Sequence, residues 1–225
     1  MVHPGAKCWI CGNTGLTGEH KTKRSDLHEV FGAVTQANPL YYHDNKRKNR
    51  PIGSLDAKLL KSPSRICANC NNARTQPHDR AWEHLSEALR TRNMVSGMAV
   101  RADRIFSYNT AREMLNVHLY FVKLFGCHIM EGNIPIDITT FGASIMREKA
   151  HPNVYLKFGV SPTPITGMSD VWTTPTDCTF ATWFYKVGNL AVNVMFAIDG
   201  EKRNGLIGAW HPKLGTNKLA ISDFK

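Results

Sequence analysis

Two cysteine pairs constrain this chain more than any other feature: Cys8/Cys11 in "CWIC" and Cys67/Cys70 in "CANC". Four thiolates in two Cys-x-x-Cys knuckles complete a tetrahedral Zn²⁺ shell, which is closed and therefore structural. Fifty-five residues separate Cys11 from Cys67, so one shared ion would staple the ends of a long insert. The competing reading is four unrelated thiols. Cys127 and Cys178 stand alone and read as small buried hydrophobes.

Charge and composition narrow the partners. The 225-residue chain carries a formal charge of +10 and is 42% hydrophobic, enough for a real core and an anionic partner. Residues 1–100 carry net +7 and residues 101–225 net +3, with local runs "HKTKR" (His20 to Arg24) and "KRKNR" (Lys46 to Arg50). Such runs fit nucleic acid, a ribosomal or membrane surface, or a merely solvated face. The opening "MVHPGAKCWICG" has no apolar core of a signal peptide. No apolar run reaches the ~20 residues that cross a bilayer. An intracellular (cytoplasmic) protein with reduced thiols is expected, which favours metal over disulfide.

Periodicity divides the chain into an N-terminal zinc-containing unit over 1–93 and an α+β region over 94–225. In the first, "LTGEHKTKRSDLHEVFG" predicts a strand and a helix with Leu27, Val30 and Phe31 on one face. Residues 36–64, punctuated by Pro39, Pro51 and Pro63, read as a long loop with at most a short strand near "PLYYH". "PHDRAWEHLSEALRTR" predicts a helix burying Trp82, Leu85 and Leu89. In the second unit, "NTAREMLNVHLYFVKLFGCHI" predicts a helix burying Met114, Leu115, Leu119, Val122 and Phe125. The remainder reads as β-rich, with Gly188-Asn189 turning a hairpin. Its aromatics Trp172, Trp183, Phe184, Tyr185 and Trp210 suit base stacking or, more simply, a packed core.

Chemistry concentrates in "TGEH" and "CANCNNARTQPHD". A carboxylate beside an imidazole lets Glu19 hold a hard Mg²⁺-like cation while neutral His20 takes a proton from water. Asn71, directly after the last zinc cysteine, offers a neutral oxygen to the same cation or caps a helix. Arg74 can reach a phosphate oxygen. His78 is a candidate ligand or phosphate contact, or simply a helix-end histidine. Asp79 reads as a charge at a helix N-terminus, and Asn72 has no assigned role.

This order, Cys-x-x-Cys, then "EH", then Cys-x-x-Cys-Asn with a basic residue three positions on, resembles the HNH nuclease family in its zinc-bound form. The resemblance covers Lys7 to Trp82 and implies a ββα-metal fold: two strands and a helix around one catalytic cation. It implies that His20 is the general base, that Glu19 and Asn71 ligate Mg²⁺ or Mn²⁺, and that Arg74 contacts phosphate. The family's middle Asn has no clear match, because Ser62 and Ser64 stand where it belongs; Asn45 and Asn49 are alternatives. A divalent-metal-dependent endonuclease acting on DNA is thus expected. A non-catalytic zinc-containing protein that only binds nucleic acid is the alternative, needing the cysteines and basic surface but neither Glu19 nor His20.

Overall fold

The computed structural model describes residues 7–44, 48–163 and 166–224. It is a mixed α+β fold with a large sheet. Near the N-terminus, β1 (Leu16–His20) pairs antiparallel with β4 (Lys61–Cys67), with a register slip between Thr17 and Glu19. A wide π-type turn (Cys70–Arg74) leads into helix α2 (Gln76–Arg90). Pro77 lies in the first turn of α2, where its missing N–H costs nothing. Trp82, Leu85 and Leu89 are fully buried as expected.

Between β1 and β4 the chain forms helix α1 (Arg24–Phe31) and a hairpin of β2 (Leu40–Tyr42) with β3 (Arg50–Ile52). The insert therefore contains more than one short strand, and β4 itself emerges from residues expected to be loop. Leu27, Ile52, Leu55 and Leu60 make a small core beneath it. Only Leu27 of the predicted α1 stripe is buried; Val30 and Phe31 are 37% and 38% exposed. The short α1 turns the aspartate one position earlier, Asp26, inward instead.

The C-terminal region is a seven-stranded sheet packed with helix α3 (Thr110–Gly132) and helix α4 (Ile138–Arg147). Its strands are β5 (Ala99–Arg101), β6 (Val154–Val160), β7 (Gly167–Met168), β8 (Trp172–Thr173), β9 (Phe180–Val187), β10 (Leu190–Ala197) and β11 (Lys218–Asp223), in the order β5-β11-β6-β10-β9-β7, with β8 also on β9. The β9–β10 hairpin turns at Gly188, whose φ of 59° suits glycine. Helix α3 buries Met114, Leu119, Val122 and Phe125 but leaves Leu115 half-buried, and residues on its other faces are buried too. One apolar core runs from Cys8 and Trp82 through α3 to Val194 and Ile221. Cys127 and Cys178 are buried, as small hydrophobes should be. Of the aromatics, Trp183, Tyr185 and Trp210 are core residues, whereas Trp172 is 68% exposed. No helix among the described residues is long and apolar enough to cross a membrane.

Candidate metal centre and candidate active site

The first knuckle is shaped by its own backbone. The Cys8 N–H donates to the Asn13 carbonyl and the Gly12 N–H to the Cys8 carbonyl, a tight turn that Gly12 permits with φ of 77°. The Ala68 N–H donates to the Gly15 carbonyl and fixes the second knuckle beside the first. The ligand sulfurs of Cys8, Cys11, Cys67 and Cys70 all lie within 4.8 Å of one another. The Cys11 and Cys67 sulfurs are 3.6 Å apart, far beyond a disulfide bond of ~2.05 Å. Metal–sulfur bonds of ~2.3 Å in a tetrahedron give sulfur–sulfur edges of about 3.8 Å. The cluster can therefore hold a metal ion. Trp9, inside the knuckle, lies over Gly126 of α3, and its carbonyl lies against Gly142 of α4. At Gly142 the close atoms are backbone, so that contact needs a residue without a Cβ, whereas at Gly126 a Cβ would have to displace the Trp9 ring.

Successive strand side chains point to opposite faces, and Glu19 and His20 divide accordingly. Glu19 is 8% exposed and meets α3, where its Oε1 lies 3.2 Å from Lys123 Nζ. Lys123 is completely buried. Its ammonium also donates to Asp79 Oδ1 at 2.9 Å and to Thr75 Oγ1 at 3.3 Å. Thr75 Oγ1 in turn donates to the Cys70 carbonyl at 2.9 Å, tying the ammonium to the knuckle. Burial pushes the Glu19 carboxyl above its ordinary value, while the Lys123 charge opposes that shift. Burial alone would lower the Lys123 pKa, but Glu19 and Asp79 outweigh it and hold the ammonium charged. Asp79 is in the first turn of α2, as a helix-end charge should be, and also pairs with Lys23 at 3.7 Å.

His20 faces the other way. Its Nε2 lies 3.3 Å from the Leu55 carbonyl oxygen and 3.7 Å from Asp56 Oδ1. A carbonyl only accepts, so Nε2 carries the proton and the neutral ring keeps its lone pair on Nδ1. Burial, and then the Lys61 charge, lower its pKa below the ordinary histidine value. The ring is neutral at pH 7.

Asn71 is half-buried, and its Nδ2 donates to Thr17 Oγ1 at 3.1 Å and to the Gly18 carbonyl at 3.2 Å. These bonds lock α2's entry turn to β1 and leave the carboxamide oxygen facing away from them. No side-chain cap bond starts α2, so Asn71 is not acting as its cap. Asn71, Asp79, Lys23, Arg80 and the exposed Asn72 line a cleft of about 280 Å³. Arg74 and His78, one helical turn apart, lie on another side, toward Glu148 of the α4 terminus. His78 is buried, and burial followed by the Lys123 charge pushes its pKa down to about 4. Arg74 Nε and His78 Nδ1 are buried without a hydrogen-bond partner among the described residues.

The expected constellation is thus brought together only in part. Asn71 and Glu19 share the α2 side of β1, His20 takes the opposite side, and Arg74 takes a third. The middle-Asn position is filled by Ser62, which donates to Glu131 Oε2 at 2.8 Å and so does not steady His20. The Leu55 carbonyl holds the ring instead. Asn49 has a left-handed backbone (φ 54°), with its N–H on His43 Nδ1; Asn45 lies outside the described residues. A larger cleft of about 840 Å³ opens between Tyr41 and Trp172, but none of the expected site residues lines it. Sequence reasoning missed Lys123. Its signal was a lone lysine in the apolar run "YFVKLFG" of α3.

No family model matches the chain, and neither a curated protein nor a solved structure matches it.

Proposed function

We propose that this chain is a zinc-stapled, HNH-like endonuclease that hydrolyses phosphodiester bonds in DNA, with His20 as the base. The observation carrying this reading is the His20 ring: neutral, partly exposed, its Nε2–H fixed on the Leu55 carbonyl. That leaves Nδ1 free to take a proton. The strand pair β1/β4 followed by α2, clasped by four cysteines, supports a ββα unit built around Zn²⁺. The cysteine-only ligand set gives this ion a structural role.

In the proposed step, His20 Nδ1 accepts a proton from water while the water oxygen bonds to phosphorus. The P–O3′ bond breaks, the departing oxygen takes a proton from solvent, and His20 returns its own. Mg²⁺ or Mn²⁺, when bound, supplies charge stabilisation at the scissile phosphate and the leaving oxygen. The oxygen-rich donor set of Glu19 and Asn71 suits such a hard cation. Lys23 and Arg80 at the cleft are better placed than Arg74 to steady the backbone.

Cleavage of supercoiled plasmid with Mg²⁺ or Mn²⁺ tests the reading. His20→Ala should cut about 10²–10⁴-fold more slowly while binding DNA as wild type does. Equal cleavage by the two proteins would remove His20 from the chemistry. The dispersal of Glu19, His20 and Arg74 favours one alternative, a zinc module that binds nucleic acid without cutting it. Wild-type protein that binds DNA tightly yet leaves it intact with either metal would establish that alternative.

A further inference from the structure

We infer that Lys123 is a built-in latch on the cation site: its ammonium occupies the oxygen cage of Glu19 and Asp79 and must withdraw before a divalent cation enters. The inference rests on the reading that Glu19 holds such a cation.

Lysine is almost never fully buried unless it is paired, and Lys123 is wholly buried between Val122 and Leu124 in the apolar centre of α3. Packing does not call for it there. A well-packed apolar side chain generally serves a core as well as a buried ion pair does. What distinguishes Lys123 is where its charge ends up. Three oxygens converge on Nζ, from Asp79 at 2.9 Å, Glu19 at 3.2 Å and Thr75 at 3.3 Å. Carboxylate and hydroxyl oxygens are what a hard cation takes.

The two occupants exclude each other. Oxygens around an ammonium stand at hydrogen-bond distance, whereas those around Mg²⁺ stand at ~2.0–2.1 Å, and Nζ already fills the centre. Asp79 also lines the small open cleft alongside Asn71 and Lys23, which brings one carboxylate of the cage to the cleft wall. A cation arriving there meets the Asn71 carboxamide and Asp79 before it reaches Glu19. Lys23, 3.7 Å from Asp79, guards the same approach with a second positive charge. Charge at the site is therefore balanced before any metal binds.

Mn²⁺ binding to the zinc-loaded full chain, followed by electron paramagnetic resonance, tests the latch. Wild type, Lys123→Met, Glu19→Gln and Lys123→Met/Glu19→Gln would be compared, with folding checked by circular dichroism. Lys123→Met should bind Mn²⁺ at least tenfold more tightly than wild type, and Glu19→Gln in that background should abolish the gain. Equal Glu19-dependent affinity in wild type and Lys123→Met overturns the latch while leaving the cation site standing. Absence of Glu19-dependent binding in every variant overturns both, and leaves the His20 cleavage assay to judge the nuclease reading. Should Lys123→Met fail to fold, Mg²⁺ titration of wild type with nuclear magnetic resonance of the lysine side chains decides the matter. The Lys123 signal should move as Glu19-dependent binding saturates, and a stationary signal overturns the latch.

Discussion

Asp26 carries no sign in the sequence of its role, yet it joins three elements. It is completely buried. Its Oδ2 accepts from Trp82 Nε1 and from the Tyr185 hydroxyl, both at 2.7 Å. Its Oδ1 accepts from Arg90 at 2.6 Å and Ser86 at 3.1 Å. One carboxylate in α1 is thereby tied to α2 and to β9 of the large sheet. Asp26→Asn should destabilise the protein by about 3–5 kcal/mol, the usual cost of leaving one partner of a buried ion pair alone. Urea unfolding followed by tryptophan fluorescence would measure it, with Trp82 reporting directly; a loss below about 1 kcal/mol would show the network to be dispensable. In "RSDLHEVF" an acid at this spacing looks like a solvent-facing helix charge. Periodicity identifies apolar faces, and a buried acid whose partners lie far along the chain has no local signature. Lys123 was hidden the same way, whereas the four cysteines were legible because metal spacing is a local pattern.

At the scale of elements, legibility followed apolar periodicity. Helices α2 and α3 carry long buried stripes and stand where the sequence predicts them. Strand β4, "KSPSRIC", has a proline and few apolar residues, and it forms because β1 pairs with it. Helix α4, "ITTFGASIMR", is rich in β-branched residues, which favour a strand, and has a central glycine, which weakens a helix. Its helix is started by Asp137, whose side chain accepts from the Thr139 N–H, and is held by packing on α3. Gly142 is there for contact. A Cβ at that position would stand 2.9 Å from the Trp9 carbonyl oxygen and 3.2 Å from that of Ile10. Backbone atoms of the cysteine knuckle cannot yield as a side chain can, so Gly142→Ala should cost about 1–3 kcal/mol. Gly167→Ala, where a Cβ meets open space, is the matched control. Equal melting temperatures for the two variants would show that the knuckle does not press on α4.

Over the whole molecule, buried histidines set the response to acid. His118, His151 and His211 form one cluster: the His151 N–H donates to His118 Nε2, and His211 Nε2 bonds the His151 carbonyl. Burial, then neighbouring histidine charge, holds His118 well below its ordinary value and His151 at about 4. His128, against the Trp183 ring, is pushed by burial to about 4. A base with a depressed native pKa binds its proton more readily when unfolded, so stability rises with pH. This contribution is complete above the ordinary value of 6.5 and is lost as pH falls toward 4. Glu19, with its raised pKa, works in the opposite direction but is a single group. The melting temperature should be level above pH 7 and decline steadily from pH 6.5 to 4. A level profile down to pH 5 would contradict the neutral cluster.

The placement of β11 also bears on how the chain is made. It sits inside the sheet, antiparallel to β5 and parallel to β6, although it follows both in sequence. The β9–β10 hairpin can form as soon as it leaves the ribosome, and β6 can join it. Strand β5, synthesised before α3, has β11 as its only partner among the described residues and waits with its edge unpaired until that strand appears. During translation the nascent chain thus carries an open seam across its largest sheet, and it is most prone to mispair with other chains in that interval.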